Sequence, residues 1–225
     1  MASDRLRVLG DLAATIAGLS LGRPLRVAVD GRTAAGKTTL ADELAALVRA
    51  RGRPVIRTSI DGFHRPRAER YARGRYSAEG YYHDARDLPA VMALLLAPLG
   101  DHGDRSYRTA SFDLDNDRAL EQQPQRAPAD AVLIVDGTFL QRPELRGGFD
   151  LTIFVATSPV VAEQRAVDRD AARSGGADAV RKLYAERYGA AFDLYARLCA
   201  PEQMADIVVD NDDLERLAVR IRRPA

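Results

Sequence analysis

The chain has 225 residues, 46% hydrophobic and 29% charged, the balance of a globular protein long enough to bury a sizeable core. Its 33 basic and 32 acidic residues leave a formal net charge of +1, which removes the electrostatic argument for a nucleic-acid or membrane partner. A single cysteine, Cys199, excludes an intrachain disulfide framework, and with no apolar run near the roughly 20 residues of a membrane helix, a cytoplasmic location is expected.

In chain order, Leu6, Leu9, Leu12, Ala13, Ile16 and Leu19 recur at helical spacing, which predicts an amphipathic helix over 4–19; Asp4 and Asp11 make this segment a poor signal peptide. LRVAVD (25–30) reads as a strand buried on both faces. TTLADELAALVRA (38–50) has the period of a helix, closed by Gly52 and Pro54. PVIRTSI (54–60) is a second strand and LPAVMALLLAPL (88–99) a helix, whereas residues 100–130 are polar and broken, an irregular hairpin or loop. AVLIVDG (131–137) and FDLTIFVA (149–156) are buried strands, and Ser158-Pro159 opens a helix over 159–173. After Gly175-Gly176 a helical stretch covers 177–199, ADIVVDN (205–211) is a last strand, and 212–222 is expected to be a terminal helix.

Strands alternating with helices predict an α/β fold, a parallel sheet with helices on both faces, as one domain over residues 1–225. Such sheets bind ligands beyond the carboxyl ends of their strands. Asp30-Gly31, Asp61-Gly62 and Asp136-Gly137 all fall at such ends, so three carboxylates are expected to converge on one rim.

The segment Gly31-Arg-Thr-Ala-Ala-Gly36-Lys37-Thr38 matches the Walker A pattern between a strand and a helix. Backbone amides at Thr33, Ala34, Ala35 and Gly36 are expected to turn inward on phosphate oxygens, aided by the positive end of the helix. Lys37 supplies a cation to the β and γ phosphates, the Thr38 hydroxyl suits Mg²⁺, and Thr39 supports the α-phosphate. The expected ligands are ATP, with GTP left open, and Mg²⁺.

A phosphate loop alone does not separate kinases from other NTPases. The chain contains no Asn-Lys-x-Asp element for reading guanine and is short for a motor or transporter ATPase, which leaves a small phosphotransferase. Asp61 ends the strand after the phosphate-loop helix, where a carboxylate lies near both Mg²⁺ and a hydroxyl acceptor and can take the acceptor's proton; a plain Asp-Gly turn is the competing reading. Asp136 stands where a Walker B carboxylate holds Mg²⁺, directly or through water. Arg165, Arg169 and Arg173 share one helical face before Ser174-Gly175-Gly176 and read as a lid over 165–177, or as a solvated charged face; Arg169 is the favoured phosphate contact.

Together GRTAAGKTT, SIDGFHRP, LIVDGTFL, FDLTIFVATSP with RAVDRD, and ADIVVDN resemble the uridine kinase-like branch of the P-loop kinases, which also takes in phosphoribulokinase and the bacterial type of pantothenate kinase. The resemblance covers most of residues 25–212. It implies a doubly wound parallel sheet of about five strands with a small lid and a substrate-binding appendage, Asp61 as the base activating a hydroxyl, and phosphate contact by Arg169. Departures are visible. Asp136 replaces the family's usual Glu, EGYYHDARD brings Tyr81 near the position of the ribose-binding Asp with Asp84 three residues later, Tyr107-Arg108-Thr109 lacks the acid of the Y-D-F segment, and Arg173-Ser174-Gly175 lacks the usual R-G-R ending. Nucleotide handling therefore carries over better than pyrimidine-nucleoside recognition.

The appendage is expected at about 62–87 and 100–128. FHRPRAERYARGRYSAEGYYHDARD (63–87) is too polar for core and reads as an acceptor pocket or an exposed loop. His64, Tyr81, Asp84 and Tyr107 are its candidate acceptor contacts, and the many arginines also suit a carboxylate or phosphate on the acceptor. Tyr184, Arg187 and Tyr188 lie on the helix after the lid and read either as lining the same pocket or, the favoured reading, as plain helix packing. The expected activity is phosphorylation of a primary hydroxyl of a small metabolite, first a nucleoside such as uridine or cytidine. Pantothenate, a sugar phosphate or a sugar acid, or a catalytically silent nucleotide-binding module, are the alternatives, and a homo-oligomer is compatible with the sequence.

Overall fold

Leu25–Gly31 (β1) carries no charge except Arg26 and Asp30, and every one of its residues is buried. Such a strand must lie in the middle of a sheet covered on both faces. The structure, a computed structural model, describes residues 4–222, and it places β1 between Val132–Gly137 (β3) and Leu151–Ala156 (β4), parallel to both. Val55–Ser59 (β2) pairs parallel with β3, and Ile207–Asp210 (β5) parallel with β4. The order is β6-β5-β4-β1-β3-β2, where β6 is Ala218–Ile221.

β6 corrects the expected terminal helix over 212–222 and adds an antiparallel strand to the expected five. Leu217 and Val219 alternate toward the core, a period of two, and pairing with β5 gives the edge of the sheet a partner for its backbone groups. The helix expected over 88–99 is also modified: a short helical turn, Leu88–Val91, continues as a π-helical turn, Met92–Leu96.

Helices cover both faces. Asp4–Gly18 (α1) and Lys37–Arg49 (α2) bury Leu9, Leu12, Ile16, Leu40, Leu44 and Val48 against Val27, Val29, Val132 and Ile134. On the other face Leu88, Val91, Leu95 and Leu96 meet Leu133 and Val135, while Ala190–Cys199 (α4) packs Phe192 and Tyr195 near Phe154 and Val208. Pro159–Asp170 (α3) leads, through a 3₁₀ turn at Ala171–Arg173, to Gly175 and Gly176, both at positive φ. The broken segment 100–130 forms two small two-stranded antiparallel pieces, Ser106–Tyr107 with Gln125–Arg126 and Phe112–Asp113 with Arg118–Ala119. No helix among the described residues is long and apolar enough to cross a membrane.

Candidate active site

The loop between β1 and α2 is shaped by two close approaches. A Cβ on Gly31, at φ 153°, would fall 2.6 Å from the Val155 carbonyl oxygen, and one on Gly36, at φ 92°, would fall 2.5 Å from Asn211 Nδ2. Only glycine fits either place. The Ala35 carbonyl accepts hydrogen bonds from Asn211 Nδ2 (2.7 Å) and Thr157 Oγ1 (3.2 Å) behind the loop. With that carbonyl held behind, the first-turn amides of α2, which no side chain caps, stay free for an anion. Lys37 is buried, and its Nζ donates to the Arg32 carbonyl at 2.7 Å. Burial pulls the Lys37 ammonium below its usual pKa, against the attraction of Asp30, Asp136 and Asp61.

Asp136 at the end of β3 accepts from Thr38 Oγ1 at 2.6 Å and pairs with Arg57 Nη1 at 2.7 Å. A hydroxyl and a carboxylate in contact form a hard oxygen donor set. Mg²⁺ takes one or two protein oxygens and completes its shell from phosphates and water, so Thr38 and Asp136 fit it. No larger cluster of metal-binding side chains exists among the described residues.

Asp30 does not join them at the rim, contrary to expectation. Its carboxylate is fully buried and accepts from the Gly31 and Phe139 amides, Gln141 Nε2 and the Tyr195 hydroxyl. Burial raises its pKa while these donors oppose the rise. It anchors the start of the loop from within.

Asp61 lies in a 3₁₀ turn, Ile60–Phe63, just past β2, with its amide donating to Ser59 Oγ. Gly62 is required there because a Cβ would fall 2.8 Å from the Thr109 carbonyl oxygen. Its own carbonyl accepts from the Ser111 amide at 2.9 Å, so the 100–128 segment is stitched to this turn. The Asp61 side chain is 59% exposed, and its Oδ1 pairs with Arg86 Nη2 at 2.7 Å. Desolvation works to raise the Asp61 pKa, but Arg86, His64 and Lys37 outweigh it and hold the carboxyl below its usual range.

A cleft of about 530 Å³ brings Lys37, Thr38, Asp61, Asp136, Arg169 and His64 to one surface. Thr33 and Ala34 also line it, whereas Gly31, Ala35, Gly36 and Thr39 frame the loop without lining the cleft. Of the three arginines expected at the lid, Arg169 alone reaches it. Arg169 is clamped on Asp170 by two bonds of 3.0 and 2.8 Å, Arg173 joins the same carboxylate, and Arg165 turns to the Asp212 carbonyl.

A protein described as a possible uridine kinase from Bacillus stearothermophilus superposes with a TM-score of 0.70 at 25% identity, covering 90% of this chain and 98% of the other. The fold is that of the uridine kinase-like P-loop kinases. A candidate fructose transport system kinase from Silicibacter sp. TM1040 gives a TM-score of 0.69 at 23% identity, over 84% of this chain and 94% of that one. D-glycerate 3-kinase from Cryptococcus neoformans var. grubii gives 0.58 at 13% identity, over 97% and 99%. No family model and no curated protein sequence matches the chain.

Within this fold one wall of the cleft differs from the sequence expectation. Tyr81 does line the cleft, edge-on to Phe139 and Tyr188 at centroid separations of 5.4 and 4.9 Å. Asp84 does not: three residues on in a π-helical turn, it leaves the cleft and pairs with Arg73 at 2.8 Å. Tyr107 does not either, because its ring is buried beside the Leu95 and Ala127 side of the core and its hydroxyl donates to Gln125 Oε1 at 3.1 Å. The wall is instead built by Arg67, Arg70, Tyr71, Arg86, Arg187 and Tyr188. Arg187 and Tyr188, for which pocket lining is the less favoured of two readings, thus face the cleft, while Tyr184 is buried as packing requires. Arg86 reaches Asp61 through a short bridge, His64 opposite Arg86, that ties the two ends of the 62–87 segment together.

His64 is 8% exposed, and its Nδ1 donates to the Asp61 carbonyl at 2.7 Å, leaving Nε2 as an acceptor. Burial, with Arg86 adding repulsion, lowers its pKa to about 4. Unfolded His64 takes its proton near pH 6.5 while folded His64 stays neutral. Its contribution to stability is therefore present above pH 6.5 and lost as pH falls toward 4. Urea midpoints measured from pH 7 to 4.5 are expected to fall less steeply for His64→Gln than for the wild type; parallel slopes would refute the assignment.

Proposed function

We propose that the chain is a kinase that transfers the γ-phosphoryl group of a nucleoside triphosphate, ATP first, to a hydroxyl of a small acceptor. The observation that carries this reading is the single cleft in which Lys37 and the Thr38–Asp136 pair face Asp61. Phosphoryl transfer needs little covalent help from a protein and much positioning and charge stabilisation. The loop amides and Lys37 receive the β and γ phosphates, and Arg169, in a lid formed by residues 165–177, meets charge on the transferred group. Thr38 and Asp136 would hold Mg²⁺, which would supply charge neutralisation to the phosphate oxygens. Segments 62–87 and 100–128 form the acceptor side.

Asp61 receives the acceptor hydroxyl. As the hydroxyl oxygen bonds to the γ-phosphorus, the bond from that phosphorus to the β–γ bridging oxygen breaks. The nucleoside diphosphate leaves with that electron pair, and the hydroxyl proton passes to Asp61. A carboxyl held below its usual pKa is ionised throughout the neutral range, so it orients the hydroxyl early and takes the proton late.

The nucleoside reading of the acceptor is weakened by the positions of Asp84 and Tyr107 outside the cleft. A coupled assay of ADP release over nucleosides, sugars, hydroxy acids and sugar phosphates tests the proposal. Acceptor-stimulated release is expected for at least one class. Tight nucleotide binding with no stimulation by any acceptor would instead identify a silent nucleotide-binding module.

A further inference from the structure

The proposed kinase reading leaves the acceptor undefined, and the charge on the acceptor wall narrows it. Five arginines line the cleft. Arg86 pairs with Asp61, Arg70 with Asp117, and Arg169 with Asp170. Arg67 and Arg187 pair with no carboxylate among the described residues. Arg187 is the more telling, being only 3% exposed. A guanidinium so far out of water is costly unless an anion compensates it.

What surrounds Arg187 does not supply that anion. Its Nη1 donates to the Arg75 carbonyl at 2.9 Å and the Ser77 carbonyl at 3.4 Å, and the rings of Tyr71 and Tyr81 lie 4.8 and 4.9 Å from its guanidinium carbon. Aromatic faces and carbonyls orient a guanidinium without cancelling its charge. Burial accordingly pulls the Arg187 pKa down from its usual range. Arg67 and Arg70 approach the same Tyr71 ring, at 5.9 and 5.5 Å. Two carboxylates face this region. Asp117 is already engaged by the Arg70 side chain and the Arg67 amide, and Asp115 pairs with no arginine among the described residues. Beyond Tyr71 the wall continues into a smaller hollow of about 280 Å³ lined by Arg67, Tyr71 and Arg75.

We propose that the acceptor carries an oxyanion, a carboxylate or a phosphomonoester, in addition to the hydroxyl it presents to Asp61, and that Arg187 receives this oxyanion. The planar guanidinium suits both groups, because each offers two oxygens to its parallel N–H donors. Tyr71 and Tyr81 fix its plane, and Arg67 adds charge at the mouth. A neutral nucleoside would leave Arg187 uncompensated.

The test rests on matched acceptors that differ only in charge: hydroxy acids against their amides, and sugar phosphates against the parent sugars, with uridine as a neutral reference. The anionic member of at least one pair is expected to have the higher kcat/KM by about 100-fold, the order lost when a buried hydrogen-bonded charge is left unpaired. Which pair responds separates carboxylate from phosphate. Arg187→Met is expected to raise KM for that acceptor by a similar factor while kcat and the KM for ATP stay near wild type, and Arg187→Lys should recover part of the loss. Arg67→Gln, at an exposed position, should raise the same KM about 10-fold and covers the case in which Arg187→Met does not fold. Neutral acceptors turned over as well as their anionic partners would overturn the inference while leaving the kinase reading intact. If no acceptor is turned over, calorimetric titration of malonate and of glycerol 2-phosphate into the ADP-loaded protein decides. Binding lost in Arg187→Met supports the inference, and no binding, or equal binding in both proteins, ends it.

Discussion

Lys37→Ala is expected to abolish measurable transfer, lowering kcat by at least about 10³-fold, the upper range for losing one preorganised charge-stabilising donor. The reason lies in where the ammonium sits. It is buried at the mouth of the phosphate loop, and Asp30, Asp136 and Asp61 all act on it. In so little water each of these interactions is stronger than it would be on the surface. Removing the cation withdraws charge from the transferring phosphoryl group and leaves the carboxylates less compensated, so nucleotide affinity and the thermal midpoint should fall too. Single-turnover transfer from radiolabelled ATP is the direct measurement. Residual activity within about tenfold of wild type would show that phosphates bind elsewhere.

Asp61→Asn separates chemistry from binding. The amide keeps the size of the side chain but cannot accept the hydroxyl proton, so kcat is expected to fall by about 10²–10⁴-fold with little change in nucleotide Kd. A second effect follows from Arg86. That guanidinium is 9% exposed, and the 2.7 Å bond to Asp61 is its one carboxylate contact among the described residues. Replacing Asp61 strands a buried cation, so a lower thermal midpoint should accompany the loss of rate. Pairing the substitution with Arg86→Gln should return much of the stability and none of the transfer. If Asp61→Asn alone transfers phosphate near the wild-type rate, Asp61 is an anchor for Arg86 and the base lies elsewhere.

Much of this was legible in the chain because it depends on neighbours in sequence. The run LRVAVD has to be a central strand, GRTAAGKT has to turn into a helix at Lys37, and both happen. Asp61 and Asp136 fall at strand ends because the apolar runs before them stop there, and they do share a cleft. Asp30 misled because the same pattern also describes a carboxylate folded inward on Tyr195 and Gln141, which lie 165 and 111 residues away. Residues 218–221 do not read as a strand because four residues hold little periodicity, and pairing with β5 decides their conformation. Asp84 and Tyr107 rest on the resemblance alone, and in this chain Asp84 pairs with Arg73 while the Tyr107 ring packs into the core. Arg86 carries no local signal, and Arg187 reads from the sequence as packing at least as readily as pocket lining. Their roles arise from the His64–Arg86 bridge and the packing of Tyr71 and Tyr81, contacts that exist only after folding.

The bond from Asn211 to the Ala35 carbonyl has a consequence for how the protein comes to exist during synthesis. It spans 176 residues and holds the phosphate loop from behind. β1, which carries that loop, takes its two flanking strands from residues 132–137 and 151–156. Synthesis proceeds at about 5–20 residues per second, so the first third of the chain waits many seconds for the last third. During that interval the Walker segment is present but its shape is unsupported. A nascent chain halted before residue 211 should bind nucleotide poorly, and the capacity should appear late and abruptly, once Asn211 has cleared the ribosome.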